Sequence, residues 1–179
     1  RRMGILVMPP DVNESQVDFS VTDGTIRFGL QAIKNVGAGP ARAIVEERTN
    51  SGRYDTLCDL TSRVAARSLN RRTMESMIAA GACDSLEGTR AQKFEGLEPA
   101  LEFGHKAAAA TASHDLFADT SGAIARVAPA LPDVPDWSSS EKLTREKQML
   151  GFYVSGHPLD KYRREMEAFT SHDVASLKA

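Results

Sequence analysis

The chain has 179 residues and a formal net charge of −2 at pH 7, with 41% hydrophobic and 26% charged residues. This length allows one ordinary domain, or a small domain with appendages, built on a modest core. The sequence has no apolar run of about 18 residues that could span a membrane and no signal-peptide pattern, so we expect a cytoplasmic protein with no membrane partner.

The first predicted elements are short strands. Residues 5–8 are apolar and already strand-like, which suggests that the chain is a piece cut from a longer protein. Residues 17–21 and 26–28 alternate apolar and polar side chains on either side of Asp23 and Gly24. Because Asp-Gly is a preferred two-residue turn, this pattern predicts a β-hairpin.

Residues 30–48 are predicted to form two short helices around a turn with two glycines. Gly37 and Gly39 have no Cβ and can take positive φ, so the backbone there can approach another molecule closely. Pro40 suits the first turn of the second helix, whose free N–H groups and dipole favour an anion such as phosphate. The alternative is an ordinary helical hairpin in which the glycines only allow close packing. A dinucleotide-binding fingerprint is excluded, because it needs a preceding buried strand and a third glycine.

A second pair of helices is predicted next. Asp55 can cap a helix that runs through Val64, and Asn70 can cap one that runs through Ala80, with Gly81 as its stop. The four short helices would pack as two hairpins. Their predicted core is Ile33, Val36, Ile44, Val45, Leu57, Leu60, Leu69, Met74, Met77 and Ile78.

The remaining chain is less regular. Residues 91–112 could carry a helix weakened by Gly96 and Pro99, and a charged amphipathic helix is predicted over 140–150. Between them lies a stretch rich in Ala, Pro, Asp and Ser, which is typical of a linker. The predicted division is 1–28 for the β-hairpin region, 29–90 for the paired helical hairpins, 91–112 for the weak helix, 113–139 for the linker and 140–179 for the last helix and the residues after it.

Basic residues are concentrated around the glycine turn. Residues 25–90 contain ten Lys or Arg against seven Asp or Glu, whereas the rest of the chain is acidic. Such a patch suits contact with phosphates, although a solvated charged face is the commoner cause. The predicted DNA-binding residues are Lys34, Asn35, Gly37, Ala38, Gly39, Arg42, Arg71 and Arg72.

An isolated apolar pair lies at the start of the linker. Leu116 and Phe117 follow the polar residues Ser113, His114 and Asp115. Apolar anchors in mobile chain are what a partner's groove captures. The alternative is that this segment folds back on its own domain.

No catalytic or metal-binding pattern is found. The histidines and cysteines lack metal-ligand spacing, and no closely spaced carboxylate pair suits two-metal phosphoryl transfer. We therefore expect no catalytic residue, no metal site and no cofactor in this chain. The residues considered are His105, His114, His157, His172, Cys58 and Cys83.

Several long motifs, in order, resemble a known family, the bacterial replicative DNA polymerase III alpha subunit. The resemblance covers residues 1–162, with a poor match over 91–140. The motifs are Arg1-Arg2-Met3-Gly4-Ile5, Pro9-Pro10-Asp11-Val12-Asn13-Glu14-Ser15, Phe28-Gly29-Leu30, Ala32-Ile33-Lys34-Asn35-Val36-Gly37, Leu69-Asn70-Arg71-Arg72-Thr73, Gly81-Ala82-Cys83-Asp84-Ser85-Leu86 and Leu150-Gly151-Phe152-Tyr153-Val154-Ser155-Gly156-His157-Pro158-Leu159.

The resemblance implies a mainly α fold with a small N-terminal β-hairpin, tandem helix-hairpin-helix, a flexible linker and a C-terminal helix that leads into an oligonucleotide-binding fold. In that family the region comes after the fingers and holds the backbone of duplex DNA leaving the active site. The catalytic carboxylates and their Mg²⁺ lie upstream of Arg1, and other replicase subunits bind the parent chain. The family's sliding-clamp pentapeptide, similar to Gln-x-Asp-Leu-Phe, falls at residues 113–117, where Ser113 replaces the glutamine.

Two rival interpretations stay open. The first is the error-prone lesion-bypass paralogue of the same polymerase, which shares the helix-hairpin-helix region. The second is a structural spacer, in which the glycine turn packs inward and the chain binds nothing alone.

Overall fold

A computed structural model describes residues 6–64, 68–112, 127–164 and 169. These residues form a small N-terminal sheet followed by helices, which confirms the predicted mainly α fold. Within the described ranges, no helix has both the length and the apolar character needed to cross a membrane.

The sheet contains the predicted hairpin and one further strand. Strands β2 (Ser20–Thr22) and β3 (Thr25–Arg27) pair antiparallel. Asp23 and Gly24 between them have φ of 50° and 73°, the positive values that a tight hairpin turn requires. Strand β1 (Val7–Met8) pairs with β3 in parallel, so the sheet order is β1-β3-β2. This parallel pairing was not predicted.

Six α-helices follow in the described part of the chain. Side chains that precede four of them accept a hydrogen bond from the first helical turn, which satisfies backbone N–H groups that lack an intrahelical partner. The helices are α1 (Ala38–Ser51), α2 (Leu57–Arg63), α3 (Arg71–Ala79), α4 (Arg90–Glu95), α5 (Leu97–Ala112) and α6 (Ser139–Leu150).

The caps agree with the sequence in one case and differ in another. Asn70 caps α3 by accepting from the Thr73 N–H at 2.9 Å, as predicted. Asp55 is not the cap of α2. Thr56 takes that role, because its backbone is extended and its hydroxyl reaches the Asp59 N–H at 3.0 Å.

The helices pair only in part as predicted, since the element before the glycine turn packs against α1. The first helix of the glycine hairpin forms only a 3-10 turn over Leu30–Ala32. The predicted helix over 91–112 breaks at Gly96 into α4 and α5. Helix α2 packs chiefly against α5 and not against α3. Gly104 makes this close approach possible, because a Cβ there would overlap the Thr61 carbonyl.

The predicted core is correct apart from Val45, which is only half-buried. The N-terminal loop closes over this core through Asn13. Its amide donates to the Tyr54 carbonyl at 2.9 Å and accepts from the Tyr54 N–H at 2.8 Å. The motif over residues 9–15 therefore includes a structural tie between the N-terminal loop and the connection from α1 to α2.

A buried ammonium group organises the loop between α3 and α4. Lys93 is 1% exposed, and its Nζ donates to the carbonyls of Cys83, Leu86 and Gly88 at 2.8, 2.8 and 2.7 Å. All three ammonium donors are thus used. Beyond this loop, residues 127–138 have no regular secondary structure and contact α4, with the Trp137 ring 5.4 Å from that of Phe94.

Candidate nucleic-acid interface

The N-terminus of α1 is an open cluster of backbone donors. Gly37 occupies the cap position, and no side chain accepts a hydrogen bond from the first turn. The N–H groups of Gly37, Ala38 and Gly39 donate to no other described residue, whereas α2, α3, α4 and α6 all have side-chain caps. Pro40 lies in the first turn, as predicted. This end of α1 can therefore accept an external anion.

The two glycines work differently from the prediction. Gly37 has a φ of −80°, and Gly39 is helical, so neither uses the left-handed region. The residue with positive φ is Asn35, at 65°. A Cβ on Gly39 would meet nothing within 4 Å, and one on Gly37 would only touch Pro40 at 3.9 Å. The glycines thus leave a bare surface facing outward and are not needed for internal packing.

Asn35 connects this turn to α3. Its Nδ2 donates to Ser76 Oγ at 3.0 Å, and its own carbonyl accepts from Thr73 Oγ1 at 3.2 Å. Asn tolerates the left-handed conformation better than most residues because its short polar side chain can bond locally. The start of α3 is therefore fixed beside the glycine turn.

A second contact ties the turn to the C-terminal helix. The backbone N–H of Lys34 donates to the Met149 carbonyl at 3.0 Å, in the last turn of α6. The Lys34 side chain is exposed, so the hydrogen bond holds the backbone and leaves the charge in solvent. The turn is thus supported by α3 on one side and by α6 on the other.

The four predicted cationic side chains differ in whether they form ion pairs within the protein. Lys34, Arg42 and Arg72 are exposed and form no ion pair with any described residue. Arg71 is also exposed, but it pairs with Glu75 at 2.8 Å and with Glu98 at 3.1 Å. These carboxylates, Glu75 foremost, raise the pKa of Arg71. Arg71 is therefore the predicted cation whose donors are the most occupied by carboxylates of the chain itself.

The predicted apolar anchor cannot be placed. Ser113, His114, Asp115, Leu116 and Phe117 lie outside the described residues. Arg1 and the rest of residues 1–5 are also outside them. Over the ranges that are described, no group of three or more His, Cys, Asp or Glu side chains could hold a metal ion.

Sequence reasoning missed the polar network beneath the turn. Ser76 and Thr73 look like ordinary helix residues in the sequence, and their spacing of three places them on one face of α3. The available signal was a polar face on a helix whose Met74, Met77 and Ile78 are buried in the protein core. Its partner in the turn could not be derived from the helix alone.

Comparison with known proteins shows what the chain is similar to. A helix-hairpin-helix motif family model matches residues 4–93. The chain is 36% identical over 174 residues to the DNA polymerase III subunit alpha of Vibrio cholerae, covering 96% of this chain and 15% of that protein. For the same subunit of Neisseria meningitidis serogroup A the identity is 38% over 179 residues, which cover 99% of this chain and 16% of that protein. For the same subunit of Mycobacterium leprae the identity is 39% over 162 residues, which cover 89% of this chain and 14% of that protein. The chain thus spans about a sixth of the length of these relatives.

Proposed function

Because this chain belongs to the family of DNA polymerase III alpha subunits, we propose that it binds the sugar-phosphate backbone of duplex DNA without regard to sequence. The binding residues are those of the glycine turn and of the start of α3. They are Lys34, Asn35, Gly37, Ala38, Gly39, Arg42, Arg71 and Arg72.

The observation that carries the proposal is the bare N-terminus of α1. A glycine inside a helix costs up to about 1 kcal/mol relative to alanine. Nothing in the described chain fills the space beside Gly39, so internal packing gives no reason for that cost. A molecule approaching from outside does give one, because a missing Cβ lets a phosphate reach the free N–H groups.

The charges around the turn support the same ligand. Lys34, Arg42 and Arg72 are exposed and form no ion pair within the described ranges, and the first turn of α1 has no acidic residue. Contacts of this kind position a protein on DNA and read no bases. Asn35 contributes by orienting the turn, since its side chain is engaged with Ser76.

Fluorescence anisotropy of the chain with a labelled short duplex, over a salt series and with single strand as competitor, tests the proposal. Arg72→Ala should lower the salt slope by about 0.9, the share of one neutralised phosphate. Arg53→Ala is the matched control, because Arg53 is exposed beyond the opposite end of the 14-residue α1, about 20 Å away. Absence of salt-dependent binding, or equal effects of the two substitutions, would favour the structural spacer.

We propose that the parent protein is the replicative polymerase and that this region grips its product duplex. The Vibrio, Neisseria and Mycobacterium relatives are all alpha subunits, which supports the replicative form over the lesion-bypass paralogue. Template-directed synthesis, the catalytic carboxylates and their Mg²⁺ then belong to the parent chain upstream of Arg1. The cytoplasm is the expected compartment, and other replicase subunits are expected partners of that parent chain.

The finer proposal is a tether to a sliding clamp at Ser113, His114, Asp115, Leu116 and Phe117. Its support is the resemblance of these residues to the family's pentapeptide and their position after α5. Leu116 and Phe117 would fill the clamp's apolar groove. Ser113 in place of glutamine removes an amide that could donate and accept hydrogen bonds.

A further inference from the structure

Two cavities meet at Gly156 and His157, and no residue of the glycine turn lines either of them. The first, here called the cationic cavity, has a volume of about 360 Å³ and is lined by Arg90, the start of α6, residues 155–158, Asp160 and Lys161. The second, the aromatic cavity, has a volume of about 370 Å³ and is lined by Val7, residues 152–154, Gly156 and His157. The shared residues make the two cavities neighbours along one surface.

One wall of the cationic cavity includes a guanidinium group with an unpaired, buried donor. Only 7% of the Arg90 side chain is exposed. Its Nε and Nη2 bond Asp84, and its buried Nη1 has no hydrogen-bond partner among the described residues. An unpaired buried donor is costly and usually has a functional or structural explanation.

The other walls of this cavity also favour an anion. Ser139 and Ser140 form the first turn of α6, where backbone N–H groups have no intrahelical acceptor. Lys142 and Lys161 add positive charge, although Lys142 pairs with Asp136. The acidic lining residue, Asp160, already accepts from the His157 N–H and from Arg163.

The aromatic cavity presents open ring surface. Phe152 is 47% exposed and its ring lies 5.7 Å from that of Phe28. Tyr153 meets His157 edge to face at 5.6 Å, on the wall shared by both cavities. Exposed rings beside a cationic groove are the arrangement on which nucleic-acid bases stack.

We propose that these two cavities bind one nucleotide unit of single-stranded DNA. The phosphate lies in the cationic cavity, beside Arg90, Lys161 and the N–H groups of Ser139 and Ser140. The base stacks on Phe152 in the aromatic cavity. This site shares no lining residue with the duplex-binding turn.

The test is anisotropy of the 179-residue chain with a labelled oligothymidylate of about eight nucleotides, since one stacked base commonly contributes a severalfold or larger factor to affinity. Phe152→Ala should weaken binding at least about fivefold. Lys161→Gln should weaken it and lower the salt slope by about 0.7, the single-strand value per phosphate. Thymidine monophosphate and inorganic phosphate serve as unlabelled competitors.

Two control variants match the test variants. Phe19 is 52% exposed and also packs on Phe28, at 4.6 Å, but lies outside the aromatic cavity. Lys106 lies on α5, outside the cationic cavity. Phe19→Ala and Lys106→Gln should leave oligothymidylate binding unchanged, and Phe152→Ala should leave duplex binding unchanged.

Three results would overturn the proposal. They are equal losses for Phe152→Ala and Phe19→Ala, no binding of the oligothymidylate, and no effect of Lys161→Gln on the salt slope. Failure of duplex binding alone would contradict the proposed function and leave this site standing, because the two ligands are measured separately.

Discussion

Asn35 donates a hydrogen bond from Nδ2 to Ser76 Oγ at 3.0 Å, which joins the glycine turn to the middle of α3. The bond from Thr73 Oγ1 to the Asn35 carbonyl, at 3.2 Å, makes the connection a pair. The turn and the helix that carries Arg72 are therefore held in one geometry before any ligand arrives. A preorganised site loses less conformational entropy on binding.

Two substitutions of Asn35 should separate the free energy of left-handed backbone strain from that of the side-chain hydrogen bond. Asn35→Ala should lower the free energy of unfolding by about 2 kcal/mol, combining left-handed strain with a lost hydrogen bond. Asn35→Gly loses the bond but relieves the strain, so its loss should be smaller. Urea unfolding followed by circular dichroism gives both values, and a larger loss for glycine would contradict the assignment.

Gly39→Ala should stabilise the protein while weakening its binding to duplex DNA. The new Cβ meets nothing in the described chain, and alanine raises helix stability by up to about 1 kcal/mol. Duplex affinity should fall about tenfold, a change of about 1.4 kcal/mol, because the methyl group blocks the phosphate. Gly104→Ala is the contrasting variant, since overlap with Thr61 should destabilise it by about 1–3 kcal/mol. Unchanged duplex affinity in Gly39→Ala would remove the main support for the proposed function.

Lys93→Met should be strongly destabilising although it preserves the side-chain length. It leaves the carbonyls of Cys83, Leu86 and Gly88 without the ammonium donor, which should cost about 3 kcal/mol or more. Thermal unfolding and urea unfolding measure the loss. Lys106→Met, with 75% of its side chain exposed, should change stability by less than about 0.5 kcal/mol.

Stability should depend on pH above 9 through Cys83. Burial raises the pKa of this thiol from 9.0 to about 12. An unfolded chain therefore releases the proton above pH 9 while the folded chain keeps it until about pH 12, so this contribution to stability is complete below pH 9 and is lost as pH rises. Tyr54, whose pKa burial raises to about 12, acts in the same direction above pH 10. Lys93 acts in the opposite direction, because burial lowers its pKa.

Cys83→Ala isolates the thiol from these other groups. Between about pH 9.5 and 10.5 the unfolding free energy of the variant should fall less steeply than that of the unchanged protein, by up to about 1.4 kcal/mol per pH unit. Urea unfolding at each pH measures the two slopes. Between about pH 6 and 8 the slopes should agree, because the thiol is protonated in both states. Parallel slopes above about pH 9 would show that the thiol ionises in the folded protein.

The proposed clamp tether predicts loss of capture when its apolar pair is removed. The double substitution Leu116→Ala with Phe117→Ala should abolish pull-down of the chain by a sliding clamp, because no apolar side chain is left to fill the groove. Ser113→Gln should strengthen capture by restoring the amide. His105→Ala, on α5, serves as the control. Unchanged pull-down by the double variant would make the tether assignment wrong.

The sequence predicted those features that local chemistry determines. Asp23-Gly24 specified the hairpin, Asn70 and Gly81 specified the ends of α3, and the apolar spacing specified nearly all of the predicted core. Each depends on residues close together in the chain. The family motifs added the helix-hairpin-helix assignment, which the comparisons confirm.

The sequence did not predict features that depend on residues far apart. Helix α2 packs against α5 because Gly104 allows close approach, and nothing near α2 indicates that partner. The left-handed position fell on Asn35 because Ser76 and Thr73, about forty residues later, hold it there. Local preference alone predicts that a glycine takes the positive φ in such a turn.

The hydrogen bond from the Lys34 N–H to the Met149 carbonyl makes the end of α6 a mechanical support for the turn. A pull on the segment after Leu150 would reach the backbone of Lys34 through this hydrogen bond as well as through the core, to which Leu150 and Val154 belong. Tension in the chain after Leu150 would therefore also change the position of the turn that is proposed to hold the phosphate.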